Sequence, residues 1–239
     1  MSVLTLVRHG QASYMEADYD KLSVLGEEQA RKLGHYWSRH RITFDRVIHG
    51  PAKRHKRTME IAAEVVRSAG LPWPEAEEVP DLDEFDAFTV MRIMVPRLVK
   101  ENTAIAELNQ KFEDAGRSSE AGWHLQKLFE GVTRLWSSNE FETPETETWA
   151  QFRHRVGSAI SRLRATTARS SRVVAFTSGG PIAATMGYAL NLNPVQTIEF
   201  VWLSRNASYS QFLFSGERFS VHAFNAIPHL DDLSLFTYR

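Results

Sequence analysis

Apolar residues follow two different periods along this chain, which predicts strands and helices in alternation. Short apolar runs rich in β-branched residues are typical of buried strands, and they occur at residues 3–7, 45–48, 77–79 and 172–176. Longer stretches repeat their apolar residues every three or four positions, as helices do, at residues 23–40, 53–69, 149–166 and 181–190. This alternation favours a mostly parallel sheet with helices on both faces.

Two regions depart from the alternation. Residues 85–148 are rich in polar helix formers and predict short helices at 90–95, 103–112 and 123–136, with Pro96 as one interruption. We expect one domain over residues 1–239, in which 85–148 is a helical cap insertion placed to cover a site. The last fifty residues predict strands at 200–203, 208–214 and 219–225. The predicted fold class is α/β, a three-layer sandwich around a mostly parallel sheet with a helical insertion.

Composition narrows the function classes. The 239 residues carry a formal net charge of -1 and include no cysteine. A near-zero net charge gives no general attraction to nucleic acid or to an anionic membrane, and the lack of cysteine excludes disulfides, thiolate metal sites and thiol catalysis. No run approaches the ~20 apolar residues that span a bilayer. We therefore expect a cytoplasmic protein without a nucleic-acid or membrane partner.

The carboxyl ends of the predicted strands carry residues suited to a phosphoryl group. Ligands of parallel sheets lie at this edge. A histidine can attack phosphorus, an arginine can hold phosphate oxygens, and the amides of a helix N-terminus can bind an anion. The strand ends and the helix starts that follow them supply Arg8, His9, Gln11, Arg54, Asp81, Asp83, Glu84 and residues 177–180.

Three ordered motifs make the chain resemble the histidine phosphatase superfamily, also called phosphoglycerate-mutase-like. They are LVRHGQ at 6–11, LGEEQA at 25–30 and GPAKRHKRT at 50–58. The third is similar to the family's Ser-Pro-x-x-Arg-x-x-x-Thr segment, with Gly50 in place of the serine. The resemblance covers residues 1–85 and about 149–225.

This resemblance implies roles for single residues. His9 matches the nucleophile that takes the phosphoryl group, and Arg8 and Arg54 match the arginines that bind it. Glu84 matches the acid that protonates the leaving oxygen, a part that Asp83 or Asp86 could also take. Gln11 and Gly179 are expected at the phosphate as well, and neither a cofactor nor a metal is expected.

One departure stands at the position of the family's second histidine, where this chain has Ser178. A charged donor at the phosphoryl group is worth roughly 2–4 kcal/mol in rate, so its loss could weaken catalysis. The backbone amides of Gly179 and Gly180 could partly substitute. Among the other histidines, His49 and His55 flank Arg54 and could support the site. His222 and His229 are also candidates to reach the edge that lacks the second histidine.

Three functions follow from this reading. The first is metal-independent phosphomonoester hydrolysis through phosphohistidine at His9. The second is a catalytically degenerate module that binds a phosphorylated ligand or protein. A phosphosugar or phosphoglycerate mutase is the weakest, because a mutase depends heavily on an intact histidine pair. The expected substrate is a phosphorylated small molecule or a phosphoprotein, and the C-terminal strand could pair across a homodimer.

Overall fold

A six-stranded sheet forms the centre of the computed structural model, which describes residues 1–13, 20–116, 118, 120–138 and 145–238. Its strands are β1 (Ser2–Arg8), β2 (Arg46–His49), β3 (Ala76–Glu78), β4 (Arg172–Thr177), β5 (Tyr209–Ser215) and β6 (Arg218–Ala226). They lie in the order β3-β2-β4-β1-β5-β6. The first four strands pair in parallel, whereas β5 is antiparallel to β1 and β6. The predicted mostly parallel α/β sheet is confirmed.

Helices cover both faces of this sheet. Those in the described residues are α1 (Val24–Arg39), α2 (Lys53–Ser68), α3 (Ala87–Glu101), α4 (Thr103–Ala115), α5 (Ala121–Ser137), α6 (Trp149–Thr166), α7 (Gly179–Leu190) and α8 (Pro194–Leu203). Leu33 of α1 and Val66 of α2 share a buried cluster with Val47 of β2. Phe152 of α6 and Ile182 of α7 belong to the cluster on the other face. None of the described helices is long and apolar enough to cross a membrane.

Residues 194–203 form a helix, so the strand predicted at 200–203 is wrong. Asn193 caps this helix: its side chain accepts from the Gln196 amide at 2.8 Å, and the Gln196 side chain accepts from the Asn193 amide at 3.2 Å. Pro194 occupies the first turn, where proline is well tolerated. A four-residue apolar run cannot distinguish a strand from a buried helix, and here the capping box decides in favour of the helix.

The predicted helical insertion contains α3, α4 and α5, and its residues 117, 119 and 139–144 lie outside the described residues. Pro96 is not the interruption that we expected, because α3 continues through it. Proline in a helix costs about 3 kcal/mol. Val90, Met94 and Leu98 are fully or almost fully buried along the same helix, and burial of each stabilises by roughly 1.5–3 kcal/mol. Packing therefore outweighs the lost backbone hydrogen bond.

Candidate active site

A cavity of about 250 Å³ lies at the carboxyl ends of the parallel strands and brings five of the predicted site residues together. Arg8 and His9 come from the end of β1, and Arg54 comes from the first turn of α2. Glu84 follows β3, and Ser178 lies between β4 and α7. We call these five residues the polar floor of the cavity.

The backbone of His9 is held by both neighbours of β1 in the sheet, β4 and the segment before β5. Its amide donates to the Thr177 carbonyl at 2.9 Å, and its carbonyl accepts from the amide of Ala207 at 3.1 Å and from the side chain of Asn206 at 3.3 Å. Its Nδ1 lies 2.6 Å from the Gly10 carbonyl oxygen. Because a carbonyl can only accept, Nδ1 carries the proton and the lone pair is on Nε2.

The state of charge of His9 suits a nucleophile. The side chain is only 6% exposed. Burial lowers the pKa of His9 well below its ordinary value, and the charges of Arg54 and Arg8 lower it further. The imidazole is therefore neutral at neutral pH, and the Nε2 lone pair can attack an electrophile.

Both arginines of the polar floor are held by oxygen acceptors outside it. Arg54 Nη1 donates to Asp20 Oδ1 at 2.6 Å, and Asp20 Oδ2 accepts from the backbone amide of Lys53 at 2.8 Å. Arg8 Nη1 donates to the carbonyl of Ser204 at the end of α8, where the helix dipole favours a cation. The cavity thus has two oriented guanidinium groups, which bind phosphate oxygens well. Sequence reasoning missed Asp20.

Glu84 is bound to the start of α7. Its Oε2 accepts from the Gly180 amide at 3.0 Å, and its Oε1 accepts from the Phe85 amide at 3.1 Å. Burial raises the pKa of Glu84, opposed by these hydrogen bonds and by Arg54. A side chain at 180 has no room, since its Cβ would lie 1.9 Å from Glu84 Oε1. A carboxyl that holds its proton more tightly than usual is suited to act as a general acid.

Several predicted contributors lie apart from the cavity. The Gly180 amide donates to Glu84 Oε2, and its expected part in replacing the second histidine stays a prediction. Gly179 and Gln11 are absent from the described cavity lining; Gln11 Oε1 instead accepts from the Ser23 hydroxyl at 2.9 Å. Their part in phosphate binding stays a prediction. Neither of the alternative acids lines the described cavity: Asp83 accepts from the Glu84 amide at 2.9 Å, and Asp86 caps α3.

His55 is the histidine that meets the polar floor. It is fully buried, and its Nε2 lies 2.6 Å from Ser178 Oγ, which Arg54 Nη2 approaches at 3.4 Å. The rings of His55 and His9 are 5.7 Å apart between centroids. Burial and the charge of Arg54 lower the pKa of His55 well below its ordinary value. Sequence analysis named His55 only as a residue that could support the site; its place on the buried stripe of α2, one turn before Thr58 and Met59, is the pattern that indicates its burial.

The other two histidines proposed for this edge do not reach the described cavity lining. His229 packs instead near Tyr36 and Tyr209, with ring centroids 6.3 Å away in each case. His222 is exposed on β6. The edge that lacks the second histidine is therefore approached by His55 and not by the C-terminal histidines.

The remaining lining of the cavity is largely apolar, and we call it the apolar wall. It is formed by side chains from the insertion, from α8 and from the C-terminal segment, namely Phe85, Ala87, Phe88, Met91, Leu125, Phe129, Val201, Trp202 and Tyr238. Phe129 and Trp202 join α5 to α8 through an edge-to-face contact with centroids 4.9 Å apart. Phe85, Phe88 and Phe129 of the insertion all border the cavity.

A second depression of about 280 Å³ lies between α6, α7 and the start of α8. It is lined by Trp149, Ala150, Arg153, His154, Ala184, Tyr188 and Pro194, and none of the predicted site residues is among them. In the part of the chain that the structure describes, no group of three or more His, Asp or Glu side chains is placed to hold a metal ion. The predicted site residues that the structure brings together therefore line the cavity at the strand ends and not this second depression.

Comparisons with known proteins agree with this geometry. The model of the histidine phosphatase superfamily (branch 1) matches residues 4–121 and 123–227. No curated protein matches the chain.

Solved structures with the same fold cover nearly the whole chain. A phosphoglycerate mutase from Bacillus anthracis has 16% identity, TM-score 0.64, and coverage of 95% of this chain and 94% of its own. A phosphoserine phosphatase from Entamoeba histolytica, solved with phosphoserine, has 15% identity, TM-score 0.61, and coverage of 96% and 100%. A mycobacterial glucosyl-3-phosphoglycerate phosphatase, solved with VO3, has 18% identity, TM-score 0.61, and coverage of 94% and 98%. At these identities the likeness shows the fold alone.

Proposed function

Since the chain belongs to the histidine phosphatase superfamily (branch 1), we propose that it hydrolyses phosphomonoesters through a phosphohistidine at His9, without a metal ion. One observation carries this proposal: a neutral, buried His9 with Nδ1 held by the Gly10 carbonyl. It lines one cavity with Arg8, Arg54 and a carboxyl of raised pKa, Glu84. These groups supply a nucleophile, positive charge and an acid.

The reaction divides into two steps. In the first, His9 Nε2 attacks phosphorus, the ester P–O bond breaks, and Glu84 gives its proton to the leaving oxygen. In the second, water attacks phosphorus, the bond between His9 Nε2 and phosphorus breaks, Glu84 takes the proton from that water, and inorganic phosphate leaves. Arg8 and Arg54 balance the negative charge in both steps, which is the contribution that a metal makes in other phosphatases.

The apolar wall supports a substrate class. A site that binds only small, highly polar phosphates would need polar partners around the alcohol part as well as around the phosphate. Phe88, Met91 and Phe129 instead present apolar surface beside the polar floor. The proposed substrate is therefore a phosphomonoester whose alcohol carries an aromatic or aliphatic group.

A binding module and a mutase are the two alternatives to hydrolysis. A binding module would hold phosphate without labelling His9, and the replacement of the second histidine by Ser178 is the observation that favours it. A mutase would return the phosphoryl group to a second hydroxyl of its product. Binding of a phosphoprotein, a homodimer through the C-terminal strand, and a cytoplasmic location stay predictions.

The deciding experiment measures hydrolysis of an aryl phosphate by the purified protein in the presence of a chelator. We expect turnover by the wild type and a loss of at least about 10³-fold in His9→Ala, because the nucleophile is gone. His35→Ala is the matched control, since His35 is exposed on α1. Rapid quenching with labelled substrate should trap phosphohistidine in the wild type and in His35→Ala, and not in His9→Ala.

Each other outcome assigns a different function. Undiminished activity in His9→Ala, or activity lost with the chelator, contradicts the mechanism. Phosphate binding without labelling of His9 identifies the binding module. With a substrate that carries a second hydroxyl, transfer of label to that hydroxyl in preference to water identifies a mutase.

A further inference from the structure

Two departures from the family's motifs meet at one buried side chain. Gly50 stands in place of a serine and Ser178 in place of a histidine, and both lie against His55. A Cβ at position 50 would lie 2.5 Å from His55 Nδ1, while His55 Nε2 lies 2.6 Å from Ser178 Oγ. The imidazole occupies the space between these positions, so the three residues fit one another as a set.

Ser178 does not serve the usual purpose of its position. It is the N-cap residue of α7, where serine commonly caps the helix amides, but among the described residues its side chain makes no such hydrogen bond. The Glu84 carboxyl accepts from the Gly180 amide instead. The hydroxyl of Ser178 is therefore left to His55, Arg54 and the cavity that it lines.

We propose that His55 and Ser178 together provide the second donor to the phosphoryl group, His55 Nε2–H donating to Ser178 Oγ and the Ser178 hydroxyl donating to a phosphoryl oxygen. The inference rests on the proposed function. Arg54 can only donate, so it uses a lone pair of Ser178. When His55 also donates, the one hydroxyl hydrogen is directed to the cavity. No proton leaves Ser178, and His55 is a positioning residue that acts through it.

The charges around His55 agree with this arrangement. Arg54, His9 and His49 are the titratable and charged groups that act on it. With its pKa lowered, the imidazole is neutral and holds one proton. A phosphoryl anion beside Ser178 attracts the hydroxyl hydrogen, and this geometry requires the imidazole proton on Nε2.

A double-mutant cycle tests the relay. We expect His55→Ala and Ser178→Ala each to lower kcat for an aryl phosphate by about 10²–10³-fold, the effect of one lost donor at a developing anion. The double variant should lose no more than either single one, because His55 acts only through Ser178. His55→Gln, whose side-chain amide can still donate, should retain more kcat than His55→Ala.

A structural role for His55 predicts a different pattern. His55→Ala would then lower kcat by the same factor whether residue 178 is Ser or Ala, and that result overturns the relay. An unchanged kcat in His55→Ala overturns it as well. Thermal melting of each variant, compared with His49→Ala as a second buried histidine, separates loss of fold from loss of the donor.

Orthovanadate binding keeps the relay testable if the wild type does not turn over. In that case the proposed function fails, and the affinity for vanadate is measured by calorimetry. Ser178→Ala should weaken binding about 10-fold when residue 55 is His and leave it unchanged when residue 55 is Ala. Equal weakening in both backgrounds contradicts the relay, and wild-type turnover that His9→Ala removes would support the function independently of it.

Discussion

The polar floor and the apolar wall of the cavity differ in how they are built. Atoms of the floor have fixed partners: His9 Nδ1 on Gly10, Arg54 on Asp20 and Glu84 on Gly180 lie at 2.6, 2.6 and 3.0 Å. The wall is assembled from side chains of the insertion, on α5 and on or just before α3, together with side chains of α8 and of the C-terminal segment. In the proposed function, the floor carries out the reaction and the wall selects the substrate.

Glu84→Gln is expected to have the largest effect, because it removes an acid from the floor and keeps its shape. For an alkyl phosphate we expect kcat/KM, which reports only the first step, to fall by about 10²–10⁴-fold. The loss should be smaller for p-nitrophenyl phosphate, whose leaving group needs little protonation. Asp83→Asn is the matched control, since the new side chain keeps an oxygen that can accept from the Glu84 amide. Equal losses on both substrates would contradict an acid role.

The same variant carries a pH signature. In the first step Glu84 acts only while protonated, and burial raises its pKa above the usual range. The wild-type rate on an alkyl phosphate should fall as the pH rises through that raised pKa, and Glu84→Gln should lose this dependence. A protonated His9 cannot attack, but its lowered pKa puts that loss well below pH 6.5. Profiles of kcat/KM measured between pH 4 and 8 test both statements.

Ser178→His tests how tightly the floor is packed. A family-like histidine at this position restores a charged donor, but its larger ring must share the space of His55, which lies 2.6 Å from Ser178 Oγ. We expect the single variant to lose about 1–3 kcal/mol of stability, as overpacked cores do. His55→Ala together with Ser178→His should recover most of it. Denaturant unfolding measures both, and a single variant as stable as wild type would show that His55 can move aside.

Local pattern was sufficient for most of the fold and for the floor. The apolar runs of the strands and the helical periods between them predicted a parallel sheet, in which the strands end at the same edge. Arg8, His9 and Ser178 could therefore be placed at one edge from sequence. The bounds predicted for α6 from its regular apolar period are the observed ones, and Thr148 caps the helix at its start. These are short-range features, which sequence records directly.

The features that sequence did not predict depend on contacts between residues far apart in the chain. Asp20 reaches Arg54 across 34 positions and His55 reaches Ser178 across 123, and neither pairing leaves a local pattern. The wall was missed for a similar reason, since Trp202 and Tyr238 join it only after α8 and the C-terminal segment pack. The strand predicted at 200–203 is different, because the capping box that identifies α8 is local and can be read at Asn193 and Gln196. There a short apolar run outweighed a helix-start signal in the prediction.

Phe88→Ser tests the wall with little risk to the fold, because Phe88 is 63% exposed at the cavity. We expect KM for an aryl phosphate to rise about 10-fold, since the ring of the substrate loses an aromatic contact. The kcat should stay the same, and a small alkyl phosphate should be affected less. Trp123→Ser is the matched control, because Trp123 is 57% exposed on α5 and absent from the described cavity lining. Equal effects of both substitutions would contradict a wall that selects substrates.

The smallest expected effect is the loss of folding stability at low pH. A buried histidine of the floor, His9, contributes to it, whereas the wall contains no histidine. His9, His55 and His229 are buried with lowered pKa values, and that of His229 falls to about 4. Below pH 6.5 such a histidine binds a proton in the unfolded chain before it does in the folded one, so stability falls as the pH falls. For His229 alone the loss is about 1 kcal/mol between pH 7.5 and 6.

His229→Phe keeps a ring beside Tyr36 and Tyr209 but cannot titrate. Denaturant unfolding at pH 7.5 and pH 6 should therefore show a smaller pH dependence in this variant than in wild type. His222→Phe, at an exposed position, should leave the pH dependence unchanged. His9 and His55 contribute to the pH dependence of stability that remains in His229→Phe. Substitution of either residue in that variant should reduce it further. A pH dependence in His229→Phe equal to that of the wild type would show that His229 does not contribute to it. The loss of stability at low pH would then have to arise at other groups, and His9 and His55 would be tested first.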